Sequence, residues 1–188
     1  MEQMLRDHIN ASIETLHLPA YQEIPDVGLY LEQTAKYISD ALAPIQDTPI
    51  TGSMISNYVK KGLISKPVRK QYSAEQIAYL MAMAVVKNVV PMENIALMFD
   101  MQKRTYSVEV AYDYFCMELE NMLRFIFGLK DAVDEVGVTT SEAKDMLRSV
   151  IIAVAHVIYL NSRFDAMAAA QKEAEAAEQQ STPEDKTE

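Results

Sequence analysis

Residues 51–77 read TGSMISNYVKKGLISKPVRKQYSAEQI, and the local signals in this stretch set the architecture. Thr51 stands where a helix N-cap belongs and Gly62 where a C′ residue belongs, so a short helix is expected over Gly52–Lys61. Ser65–Tyr72 is basic and carries Pro67, which takes it out of helical conformation. Ser73 with Gln76 makes a capping box. It opens a helix to about Asn88, with Ile77, Leu80, Met81, Ala84 and Val85 inward.

Upstream, Leu31, Ala35, Ile38 and Leu42 recur at spacings of four, three and four, which predicts a helix over Leu29–Leu42. Ala43–Ile50, with Pro44 and Pro49, is the turn before the short helix. Residues 1–18 suit an amphipathic helix with Leu5, Ile9, Ile13 and Leu16 on one side, and Pro19–Gly28 an ordered connector. Downstream, Pro91 starts a helix over Met92–Asp100. Val108, Tyr112, Phe115, Leu119, Met122, Ile126 and Leu129 then alternate spacings of four and three, an apolar seam on one long helix. Asp131–Thr139 is a turn, and Thr140 or Ser141 caps a second long helix to about Ala170. Its middle, Val150–Leu160, is apolar almost all round, which predicts burial on several sides. Two such helices leave more apolar surface than one hairpin covers. A dimer forming a four-helix bundle buries it; so does a monomer that folds the pair back on its N-terminal half. Residues 171–188 read as a fraying helix end and a disordered acidic tail.

Composition agrees with a helical, folded chain. Apolar residues are 49% of the 188, with 5 Gly and 7 Pro, few for a protein built on tight β-turns. One Cys and three His exclude a disulfide framework and a zinc site built from Cys clusters. The first residues, MEQMLRDHIN, lack the apolar core of a signal peptide. Val150–Ile158, interrupted by His156, is too short to span a bilayer. A cytoplasmic protein with no membrane association is the expectation.

Charge is distributed unevenly. Residues 1–47 carry eight acids and two bases, and residues 75–188 nineteen acids and ten bases. Residues 48–74 carry Lys60, Lys61, Lys66, Arg69 and Lys70 and no acid. A basic island in a chain of net charge −10 is either a set of phosphate contacts or a solvated loop. On the short helix, Ile55, Tyr58 and Val59 lie on one side, while Ser53, Ser56, Asn57 and Lys60 lie at i, i+3, i+4 and i+7. A polar face without acids, with one amide and terminal lysines, suits a DNA major groove. Asn pairs two hydrogen bonds with adenine, and Ser reaches base or phosphate. Two helices joined by a turn, the second carrying this face, are a helix-turn-helix.

The stretch from Thr51 to Asp100 resembles the DNA-binding head of the MerR family of bacterial transcription regulators. Thr51 matches the cap, Ile55 the buried Leu, Tyr58 the helix Tyr and Gly62-Leu63-Ile64 the helix end. Pro67, Arg69 and Lys70 match the basic wing, Tyr72-Ser73 its exit, and Gln76-Ile77 the helix behind it. Over about Leu18–Leu129, IPDVGLYLEQTAKYI, TGSMISNYVKKGLI and KPVRKQYSAEQIA are similar to the bacterial family called domain of unknown function 1836, itself thought to carry a MerR-like helix-turn-helix. The chain departs from the MerR head in its short wing, in the residues that precede the first helix, and in Ser56, where MerR proteins usually carry Arg.

The resemblance implies a sequence-specific regulator that binds double-stranded DNA as a homodimer on a pseudo-palindromic site. Ser53, Ser56 and Asn57 would read bases, and Tyr58, Lys60, Lys61, Lys66, Arg69 and Lys70 would hold phosphates. The expected fold is all-α: an extension over 1–28, a MerR-like winged helix-turn-helix over 29–103, a long helical hairpin for dimerisation over 104–170, and the tail. Neither cofactor nor metal site nor catalytic constellation is expected. His8, His17 and His156 stand far apart, and no Gly-rich phosphate loop or Gly-x-Ser-x-Gly elbow is present. His156 fits a core or helix-contact position, and Cys116 a buried inert thiol. Two other readings stay open: a helical protein-interaction module without DNA binding, and a helical protein binding an apolar effector. Tyr112, Tyr114, Phe115, Phe125 and Phe127, with Met117 and Met122, are either core or the lining of that effector's pocket.

Overall fold

The computed structural model describes residues 10–11, 13–46, 48–137 and 139–181 and, for residues 174 and 176–181, the backbone alone. Much of the expected N-terminal helix and the end of the acidic tail lie outside the described residues. The elements are β1 (Leu29–Tyr30), α1 (Leu31–Leu42), α2 (Gly52–Lys60), β2 (Gln71–Tyr72), α3 (Ala74–Val86), α4 (Met92–Thr105), α5 (Val108–Ile126) and α6 (Glu142–Ser181). The protein is mostly helical, as its sequence leads one to expect, with one two-stranded antiparallel ribbon.

α3 is the centre. Ile77, Leu80, Met81, Met83, Ala84 and Val86 are all buried, because α1 covers it on one side and α5 and α6 on another. The connector before β1 runs along α5 and is bonded to it: the Leu18 amide donates to Glu120 (2.7 Å), the Tyr21 amide to Asp113 (2.7 Å), and Arg124 donates to the Leu16 carbonyl (3.0 Å). Carboxylates of α5 thus satisfy backbone groups of a segment that has no ladder of its own. Beyond α5, Asn121 holds the interhelical loop. Its amide nitrogen donates to the Asp134 carbonyl (2.8 Å), and its oxygen accepts from the Asp134 amide (3.1 Å) and Lys130 (2.6 Å).

Three expectations are corrected. Leu29 and Tyr30 form a strand, and the first helix starts at Leu31. The last helix runs to Ser181, past Ala170, because its Ala/Glu/Gln-rich end is made of strong helix formers. The middle of α6 is covered on one side: Ile151, Val154 and Ala155 are buried, while Ile152, Ala153, His156 and Leu160 are exposed. Among the described residues, helices cover only that side. His156 is therefore no core histidine of the single chain.

Among the described residues, no helix is long and apolar enough to cross a membrane. Cys116 is buried on α5, and burial pushes its thiol up to about 12 from 9.0. Burial likewise pushes the Tyr79 and Tyr114 hydroxyls up to about 12 from 10.0. A proton held more tightly in the folded chain gives stability that is complete below the unfolded pKa and is lost as pH rises toward the folded one. The melting temperature is therefore expected to fall steeply above about pH 9–10. A melting temperature that holds level from pH 8 to pH 11 would contradict this.

Candidate nucleic-acid interface

α2 is held by local chemistry at both ends. The Met54 amide donates to Thr51 Oγ1 (3.3 Å), the expected N-cap. At the C-terminus the Gly62 amide donates to the Val59 carbonyl (3.0 Å) and the Leu63 amide to the Tyr58 carbonyl (3.0 Å), a Schellman motif with Gly62 at φ 74°. Gly52 lets the helix start against α1: a Cβ there would lie 2.6 Å from Glu32 Oε1 and 3.2 Å from Leu31. Ile55 is buried beneath it.

Ser53, Ser56, Asn57, Lys60 and Lys61 are exposed, so the polar face is open. Tyr58 is not part of it. The residue is 3% exposed, three positions from Ile55 on the inward side, and its ring belongs to the core instead of the phosphate-holding set.

The basic segment forms a hairpin. Val68 and Gln71 exchange both backbone bonds (3.1 and 2.9 Å), with Arg69 at φ 51° and Lys70 at φ 66° between them. Two central residues of positive φ define a type I′ turn, which normally selects Asn-Gly. Here two long basic side chains occupy these strained positions, and both are exposed. β2 then pairs with β1 in the register Leu29↔Tyr72 and Tyr30↔Gln71. Gly28, at φ 75°, lets the strands close, since a Cβ there would lie 3.1 Å from that of Gln71.

Gln76 fixes the base of the hairpin. Its Oε1 accepts from the Ser73 amide (2.9 Å), completing the capping box, and its Nε2 donates to the Ser65 carbonyl (2.7 Å) and Ser65 Oγ (3.1 Å). One buried amide therefore joins the cap of α3 to the chain just before Lys66. Among the described residues, ion pairs are made by His17, Lys36, Arg124, Lys130 and Arg148. No carboxylate of the described residues lies within 4.0 Å of Lys60, Lys61, Lys66, Arg69 or Lys70.

Two surface residues escaped the sequence reading. Tyr30, half exposed, stands on β1 opposite Gln71, and Val68, 75% exposed, begins the turn. The signal for Tyr30 was Gln33, whose Oε1 accepts from the Tyr30 amide (2.9 Å) and so marks Leu31 as the first helical residue. Val68 had no signal beyond its place before two basic residues.

No curated protein and no solved structure matches the chain. A family model does: it covers residues 19–115, from the connector through α1–α4 into α5, and stops at Phe115, short of Leu129. That span holds every residue of the open polar face and the hairpin and is more than half of the chain, which belongs to the family described as Domain of unknown function (DUF1836).

Proposed function

We propose that the protein is a sequence-specific DNA-binding protein, a bacterial transcriptional regulator acting as a homodimer. In this reading residues 29–103 are a MerR-like winged helix-turn-helix. α2 enters the major groove with Ser53, Ser56 and Asn57 toward base edges, and Lys60, Lys61, Lys66, Arg69 and Lys70 meet phosphates on either side. The observation that carries it is the set of five exposed cations, unpaired among the described residues, on a 27-residue stretch without one acid. The carboxylates elsewhere would suppress binding to DNA at large.

The homodimer is supported by α6. Met146, Ala153, Leu160 and Met167 are exposed and recur every seven residues, the period of a seam that a second helix covers. Ile152 and Phe164 are exposed beside them. A two-fold pair of heads then reads two half-sites about 34 Å apart.

A protein-interaction module on the same scaffold is the second reading, favoured by the exposed apolar side chains of Val27, Tyr30 and Val68 near the hairpin. Selection from a random duplex library at low and then moderate salt separates the two. The expected result is an enriched pseudo-palindrome. Asn57→Ala is expected to cost about 1–3 kcal/mol at one base position while leaving the others readable. No enrichment at either salt would remove the DNA reading.

A further inference from the structure

We propose that the cavity among α3, α4, α5 and α6 binds a small apolar carboxylic acid, its ring system or short acyl chain inside and its carboxylate at Lys144. The cavity measures about 220 Å³ and is lined by Tyr79, Phe99, Tyr114, Phe115, Met117 and Met146 among others. A dry cavity of roughly 150 Å³ takes benzene, so this one admits one or two fused rings. Methionines in the wall adapt to the shape of what enters.

Some polar groups of the wall are paired, while the buried Tyr112 and Tyr114 hydroxyls, also in the wall, have no hydrogen-bond partner among the described residues. The Tyr79 hydroxyl donates to Gln102 Oε1 (2.8 Å), Gln102 Nε2 donates to the Tyr106 carbonyl (2.8 Å), and the Tyr106 hydroxyl donates to Ser141 Oγ (2.8 Å). The rest of the lining is mostly apolar, which favours an occupant with an apolar body.

Lys144 is the one charged side chain among the described residues that line the cavity. Its ammonium donates to the Gly137 carbonyl (2.9 Å) and lies 5.3 Å from the centre of the Tyr114 ring. No carboxylate of the described residues lies within 4.0 Å of it. An apolar chamber with a single uncompensated cation in its wall complements a molecule with an apolar body and one negative end. Val110 and Met117 line the cavity and are exposed, so a ligand enters from solvent beside α5. The same elements carry the unit that α6 would dimerise, but the site does not depend on the DNA reading.

The test is titration of the full chain with 2-naphthoate, decanoate and the neutral 2-naphthalenemethanol, read by calorimetry and by melting temperature. At least one acid is expected to bind saturably and to raise the melting temperature with concentration. Whether the ring or the chain binds more tightly identifies which body fits. Lys144→Gln is expected to weaken that acid about tenfold and to leave the neutral alcohol unchanged. Ala82→Phe, placed in the wall, is expected to abolish binding of both while circular dichroism shows the fold retained. If neither acid binds saturably, or if the acid binds Lys144→Gln as tightly as the original chain, the proposal is overturned.

Discussion

The Lys66→Ala, Arg69→Ala, Lys70→Ala triple variant is expected to bind a selected operator on the order of a hundredfold more weakly at physiological salt. Each phosphate contact removed takes a released counterion with it, so the slope of log affinity against log salt should become shallower by about 2–3. Affinity and slope are to be measured together by fluorescence anisotropy across a salt series. A slope that stays the same would mean that the hairpin does not meet the backbone. A second variant guards against a folding artefact. Arg69 and Lys70 sit at φ 51° and 66°, positions that cost non-glycine residues about 1–2 kcal/mol each. Arg69→Asn with Lys70→Gly supplies the residues that the turn prefers, and is expected to raise stability to urea while lowering DNA affinity. Weaker binding by a more stable protein can be assigned to the lost charges, and tolerated strain at this turn then has a functional cause.

What the sequence revealed follows the range of each interaction. Thr51, Gly62 and the Ser73/Gln76 box were legible because a cap is specified by residues three or four apart. The α5 seam was legible because burial along one helix repeats at short period. β1 was not, since two residues show no periodicity and become a strand only by pairing with Gln71 and Tyr72. The second role of Gln76, holding Ser65, depends on where the chain after α2 returns, and the box alone cannot show it. Tyr58 illustrates a different failure. Its spacing from Ile55 already placed it inward, and the resemblance to the MerR head alone set it among the phosphate-holding residues. The cavity was foreshadowed by Tyr112, Tyr114, Phe115 and Met117, which line it. Phe127 and Met122 are core, and Phe125 is exposed, because a helix seam does not say which of its side chains a third helix will cover.

α6 is docked on α5 by buried apolar side chains and one ion pair, and cutting that pair on one side should be costly. Arg148 Nε donates to Glu118 Oε1 (2.8 Å), and Glu118 is 1% exposed while Arg148 is half exposed. Losing one partner of a fully buried pair costs about 3–5 kcal/mol. Water reaches Arg148 and screens the attraction, so Arg148→Met is expected to cost about 2–3 kcal/mol by leaving the carboxylate buried without its cation. Glu118→Leu combined with Arg148→Met removes the stranded charge and should recover most of that loss, since an apolar pair of similar size fits the same space. The measurement is a double-mutant cycle by urea unfolding at neutral pH. A coupling below about 0.5 kcal/mol would mean that water carries the carboxylate unaided. A large one has a structural consequence. Arg148 lies between Met146 and Ala153, so the contact that docks α6 on α5 also sets which residues α6 turns outward. Sliding α6 would displace Lys144 and Met146 from the cavity and rotate the seven-residue seam together, which ties the apolar site and the proposed dimer to the same ion pair.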